Sequence, residues 1–318
     1  MWLRLRLYLM LTVMFGIVYA VIVMIAHMMG VSGFMFYAVI AGGITLVQYM
    51  MGPKMVEWSM GIKYVSETES PELHNMVGEL AQKAGIRKPR IGIARMNIPN
   101  AFAFGRWGSD GRVCVTEPLM KLLNRGELKA VLGHEISHLK NRDVATITML
   151  SVIPMILWYV AWNFMFSRDR EGNNTAMIGI VAFLLYFITN MLVLYASRIR
   201  EYYADLGSVK LGNTPHDMAS ALYKLVYGNA KIPKESLKQI EGYKAFFAND
   251  PSRAANELKE LRQVDLDMSG TIDENELKSL GTMNVKIKTS DKLMEVLSTH
   301  PNMVKRVKHL SALAHGRA

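Results

Sequence analysis

The chain has 318 residues, a formal net charge of +10 and a single cysteine. Apolar residues make up 51% of it, high for a soluble protein, and they fall in blocks as membrane spans do. The basic residues are scattered, with no long run and no aromatic-basic motif, so nucleic-acid binding is not supported, and one cysteine excludes an internal disulfide.

Leu7 to Ala26 is an unbroken apolar run long enough to cross a bilayer. Arg4 and Arg6 precede it as in a signal peptide. The run is too long for that role and no small-residue cleavage site follows, so a retained span is predicted. Phe34 to Met51 predicts a second span. Gly52 to Arg142 is soluble in composition. Ser70-Pro71-Glu72 predicts a helix running to about Ala84 and ending at Gly85. Arg90 to Ala94, Asn100 to Phe104 and Arg112 to Thr116 predict strands, the last two around the turn Ser109-Asp110-Gly111. Cys114 reads as a small apolar residue within its strand. Pro118 to Leu123 predicts a short helix. His74 and His216 fall in first turns of predicted helices and read as solvated.

Asn124 with Glu127 three residues on is a capping-box signal, and Leu128, Val131, Leu132, Ile136 and Leu139 repeat at a helical period. Inside this helix stand His134 and His138, four residues apart, with Glu135 directly after the first. Positions i and i+4 share one face, so both imidazoles can hold one ion. Glu135 projects one step round, within reach of a water on that ion. This is the H-E-x-x-H spacing of zinc peptidases, whose chemistry needs neutral imidazoles, an open coordination position and a nearby base.

Ala145 to Phe166 predicts a third span, with Pro154 as a kink, and Ala176 to Ala196 a fourth, joined by the polar loop 167–175. Arg4, Arg6, Lys54, Lys140, Arg142, Arg198 and Arg200 flank the spans on one side. On the other side, Arg168 and Arg170 are balanced by Asp169 and Glu171. The positive-inside rule then puts both termini and the metal helix in the cytoplasm. Directly after the fourth span, Glu201 and Asp205 place two carboxylates on one helical face. Glu201 can complete the zinc site, and Asp205 can orient a ligand histidine. At 1.5 Å per residue, His138 and Glu201 lie about 10 Å and 8 Å beyond their span ends, so a hairpin of spans brings them to one height.

Asp265 to Glu276 reads as an EF-hand loop for calcium or magnesium. Asp265, Asp267, Ser269 and Asp273 stand at loop positions one, three, five and nine, Thr271 at seven, Gly270 at six and Glu276 at twelve. Helical stretches, Ala254 to Arg262 and Glu274 to Leu280, flank it. The rival reading is an acidic turn between two helices.

Four segments in order resemble the HtpX-like membrane zinc endopeptidases, relatives of the CAAX prenyl protease. These are Asn124 to Leu128 leading into His134–His138, Ser197 to Asp205, Pro99 to Gly105, and Thr299-His300-Pro301 followed by Arg306. The resemblance implies a membrane protease that cleaves damaged or misassembled membrane proteins on the cytoplasmic side. It does not supply the loop Asp265 to Glu276. On this reading zinc is held by His134, His138 and Glu201, and Glu135 is the general acid-base. Asn100, Ala101, Phe102 and Ala103 pair with an extended substrate by edge addition. His300 is either an oxyanion donor or a structural polar contact.

The expected fold is mainly α: four transmembrane helices plus a cytoplasmic α+β zincin-like metallopeptidase domain with an EF-hand-like insertion. The boundaries are 1–52 for the first hairpin, 53–144 for the first part of the catalytic domain, 145–196 for the second hairpin and 197–318 for the remainder, with the EF-hand-like region at 254–280. The expected partners are membrane-protein or unfolded polypeptide substrates and the lipid bilayer. A calcium-responsive adaptor on a structural zinc scaffold would have no use for Glu135. An intramembrane protease would carry its histidines inside an apolar span.

Overall fold

The computed structural model describes residues 43, 46–47, 50–106, 109–165, 176–233, 251, 253–280, 283 and 285–316. Of the segments read from the sequence, the first span and the loop 167–175 lie outside these residues, and most of the second span does too.

Pro53–Val144 and Arg200–Ala318 form one compact unit. In chain order, the elements up to the metal helix are β1 (Ile62–Tyr64), α1 (Pro71–Ala84), β2 (Arg90–Ala94), β3 (Ala101–Phe104), β4 (Arg112–Thr116), α2 (Glu117–Leu122) and α3 (Arg125–Lys140). Then come α4 (Asp143–Met165), α5 (Ala176–Lys210), α6 (Pro215–Ala230), α7 (Ala254–Leu261), α8 (Glu274–Ser279), α9 (Thr289–Val296) and α10 (Met303–Ala314).

The strands form a mixed sheet in the order β1-β2-β4-β3. The central pair is parallel, with Gly92 opposite Cys114, and both outer strands are antiparallel to their neighbours. β1 was not predicted, because three residues are too few for alternation to register. β3 lies at one edge of the sheet. Its residues alternate. Ala101 and Ala103 join the main core with Val131, Leu132 and Ile136 of α3, while Phe102 and Phe104 pack with Met60, Ala94 and Cys114 on the other face. Small side chains on the first face let the metal helix lie against the strand.

Core periodicity explains α1. Leu73, Met76, Val77, Leu80, Ala81 and Ala84 recur at helical spacing and are all buried. Val77 and Leu80 are fully buried, which stabilises the unit by roughly 1.5–3 kcal/mol each. α3 starts as the sequence predicts, with Asn124 accepting from the Glu127 N–H and Glu127 accepting from the Asn124 N–H. Tyr223, Val226, Leu261, Ile272, Leu277, Val304 and Val307 belong to a second core, drawn from α6, α7, α8 and α10. His74 departs from its solvated reading. Its Nε2 sits 2.9 Å from the Val65 carbonyl, because α1 packs its first turn against the chain leaving β1. Cys114 is fully buried, and burial pushes its thiol up to about 12.

The described residues of Met1–Gly52 and Ala145–Ile199 group separately. α4 and α5 are long and apolar enough to cross a membrane by length and composition. Leu150, Ile153 and Leu157 pack with Val193 and Ala196, while Met149, Trp162, Met177 and Leu184 are exposed. α5 has 35 residues, more than the ~20 a bilayer needs. Its apolar part ends at Ala196 and the helix continues unbroken to Lys210, carrying Glu201 and Asp205.

Candidate active site

α3 points His134 and His138 the same way, with their Nε2 atoms 3.1 Å apart. Glu201 brings Oε2 to 3.4 Å from His134 Nε2 and Oε1 to 3.5 Å from His138 Nε2. Bonds of roughly 2.0–2.1 Å to a tetrahedral ion require donors about 3.3 Å apart. Two imidazoles and a carboxylate at this spacing fit zinc in size and in donor chemistry.

The approach of Glu201 depends on two glycines. A Cβ on Gly207 would lie 2.2 Å from Ser137 Oγ, and one on Gly133 would lie 2.8 Å from Ser208 Oγ. The missing side chains let the α3 and α5 backbones come close. Ser208 Oγ then donates to the Ala130 carbonyl at 2.6 Å and ties the helices together.

Each histidine is held from behind by a carboxylate. His134 Nδ1 lies 2.9 Å from Asp205 Oδ1, and His138 Nδ1 lies 2.5 Å from Asp143 Oδ2. Both contacts leave Nε2 as the ligand atom. Asp205 was legible from its spacing to Glu201. Asp143 was missed, because it reads as polar flank after the metal helix. Arg142 adopts a left-handed φ of 55°, which turns the chain so that the next residue reaches His138. Arg200 pairs with the same aspartate at 3.1 Å.

In the sequence, Arg306 stands out only as part of the motif that begins at Thr299. It is fully buried and grips Asp205 with two nitrogens, at 2.6 and 3.0 Å, while a third nitrogen lies 3.2 Å from Glu201. Burial alone would raise the Glu201 carboxyl. Charges on His300 and Arg306 override it and hold the group well below the usual carboxylate range. Burial opposes a charge on His134, but hydrogen bonds to Asp205 and Glu201 outweigh it and lift the imidazole to about 9.

Glu135 is buried, and desolvation raises its carboxyl above the ordinary value. It accepts a hydrogen bond from the Ala103 N–H of β3. Asn100 just precedes this strand and is fully buried, its backbone exchanging hydrogen bonds with Thr116. Phe102 stacks on Phe104 at 5.9 Å, away from the Ala101 and Ala103 face. Of these four substrate-side residues, then, Ala103 is bonded to Glu135. His300 is nearly buried, with Nε2 3.8 Å from Glu201 Oε1 and Nδ1 3.0 Å from the Thr299 hydroxyl.

The second predicted cluster assembles in part. Asp265, Asp267 and Glu276 bring one oxygen each within 4.8 Å of one another. Asp273 instead caps α8, accepting from the Glu276 N–H, and Ser269 and Thr271 bond to each other through their hydroxyls.

The sequence profile of Peptidase family M48 matches residues 67–314. The chain belongs to this family. Its relatives include the protein named Protease HtpX homolog of Methanothermobacter thermautotrophicus, 51% identical over 224 residues, which are 70% of this chain and 86% of that one. A protein of the same name from Moorella thermoacetica is 40% identical over 223 residues, covering 68% and 74%. The crystal structure of Ste24p from S. mikatae shares the fold with a TM-score of 0.52 at 16% identity, over 97% of this chain and 66% of that one. The HtpX resemblance read from the motifs therefore stands. Family membership makes the chain a peptidase of the hydrolase class, and the residues described above lie within the matched span.

Proposed function

We propose that the protein is a zinc-dependent endopeptidase of the cytoplasmic membrane that hydrolyses peptide bonds in misfolded or damaged membrane proteins. The observation that carries this is the convergence of His134, His138 and Glu201 at 3.1–3.5 Å beside buried Glu135. Zinc bound there supplies a Lewis acid and lowers the pKa of the attacking water. Glu135 takes a proton from that water at its carboxylate and delivers it to the leaving amine. Its raised affinity for protons, set by burial, suits a group that must both accept and return one.

Asp205 and Asp143 keep the two imidazoles in the tautomer that offers Nε2. Arg306 sets one positive charge against both Asp205 and Glu201, which eases the repulsion between two carboxylates in one buried site. The β3 edge offers backbone groups to an extended chain, a recognition that ignores sequence and suits unfolded substrates. His300 reaches the rim of the site, where a donor could meet the oxyanion. The membrane reading rests on α4 and α5 and on the two earlier apolar runs, giving four spans. The charge bias of their flanks supports a cytoplasmic catalytic unit.

The test is cleavage of an unfolded protein by the full-length chain in detergent. Activity should vanish on chelation and return with zinc. Undiminished activity after complete removal of metal would overturn the reading.

A further inference from the structure

The loop between α7 and α8 holds a buried carboxylate with unmet bonding capacity. Asp265 is 5% exposed, and its Oδ1 accepts no hydrogen bond. Its Oδ2 accepts from the Gly270 N–H at 3.1 Å. A buried oxygen left without a partner is costly, and native proteins rarely keep one without reason. Asp267 and Glu276 bring further oxygens within 4.8 Å, so three carboxylates face one small volume. Asp265 and Glu276 are buried and Asp267 is exposed, so the cluster opens to solvent on one side, where an ion can enter.

We propose that the loop Asp265–Glu276 is a site for calcium or another calcium-sized divalent cation, and that the ion holds α7 and α8 in place against α10. The ligands are Asp265, Asp267 and Glu276, completed by the Ser269 hydroxyl, the Thr271 carbonyl and a water on Asp273.

The backbone already has the shape such a loop needs. Met268 and Gly270, at loop positions four and six, have φ of 56° and 80°. Met268 is 89% exposed, so packing does not account for its left-handed conformation. Glu276 closes the loop by accepting from the Leu266 N–H at 2.6 Å. Hands of this type commonly pair. Here Ile272 at position eight is fully buried in the core with Tyr223, Val226 and Val304, so α6 and α10 supply the cover a second hand would give.

This packing connects the loop to the candidate active site. Glu260 of α7 accepts from Asn302 Nδ2 at 2.7 Å, and Asn302 caps α10 through the Val304 N–H. α10 carries Arg306, which holds Asp205 and Glu201. Fixing α7 therefore steadies the cap of the helix that balances the zinc ligands. This second part rests on the zinc reading, and the first does not.

The experiment is calorimetric titration of the full-length chain in detergent with calcium chloride. Zinc is held saturating, and Glu135→Gln is present to prevent self-cleavage. One calcium per chain is expected, with a dissociation constant between about 10⁻⁶ and 10⁻³ M. Glu276→Gln removes a ligand charge while a glutamine still completes the capping box with Asp273, so α8 should remain folded. Calcium binding should weaken at least tenfold in that variant. It should persist in His134→Ala, which separates this site from the zinc site. No binding at millimolar calcium in a folded chain, or equal binding in Glu276→Gln, would overturn the site. For the second part, calcium should change zinc affinity in the wild-type loop and not in Glu276→Gln. Equal zinc affinity with and without calcium would overturn the link while leaving the site intact.

Discussion

Asp143 accepts a hydrogen bond from His138 Nδ1 at 2.5 Å, the counterpart of Asp205 behind His134. The two histidines are thus oriented by carboxylates from different helices, one at the start of α4 and one in α5. Asp143→Asn should weaken zinc binding about 10- to 100-fold while leaving all three ligands in place. Competition with a chelating dye measures this. Unchanged affinity would mean that the aspartate only pairs with Arg200.

Glu135→Gln and Glu201→Ala should separate catalysis from metal binding. The first removes the base and spares every ligand, so zinc content should match wild type while cleavage is abolished. The second leaves two imidazoles, which hold zinc weakly, so metal and activity should fall together. Metal analysis of both variants decides. Full zinc occupancy in Glu201→Ala would refute its role as ligand.

Arg306 is wholly buried and faces two carboxylates. Arg306→Met should destabilise the chain by about 3–5 kcal/mol, because it strands Asp205 and Glu201 as uncompensated buried charges. Urea denaturation in micelles, followed by circular dichroism, gives the comparison. A loss within a few tenths of wild type would show that the pair is solvated.

The orientation can be tested with reporter cysteines. Labelling from outside an intact cell should reach a cysteine at Asn173 and miss one at Ser109. Cys114 is fully buried with its thiol held neutral, so the native cysteine should stay silent. The reverse pattern would overturn the argument from flanking charge.

Most of the site was legible because its residues obey local spacing. His134, Glu135 and His138 lie within little more than one helical turn, Glu201 and Asp205 within another, and Asn124 with Glu127 announces where the metal helix begins. Asp143 escaped because its role depends on one left-handed residue, Arg142, and a backbone reversal leaves no periodic trace. The role of Arg306 escaped because it is a contact across 101 positions to Asp205. β1 escaped because it is three residues long, held by β2 and not by its own pattern. The closeness of α3 to α5 was hidden as well, because a glycine inside a helix reads from the sequence as a weakness.

That closeness yields the last prediction. Gly207→Ala would put a Cβ 2.2 Å from Ser137 Oγ and 2.6 Å from Ser137 Cβ. Contacts so short force one helix to move, and Glu201 lies less than two turns from Gly207 on the helix that would shift. The variant should lose zinc affinity more than tenfold although alanine is the better helix former. Ser137→Gly removes both offending atoms, so the double variant should recover most of that affinity, and the coupling between the two positions should be large. Zinc titration of the four members of the cycle measures it. If the two losses simply add, the helices are not held at the distance these glycines set, and the 3.4 Å approach of Glu201 to His134 must have another cause.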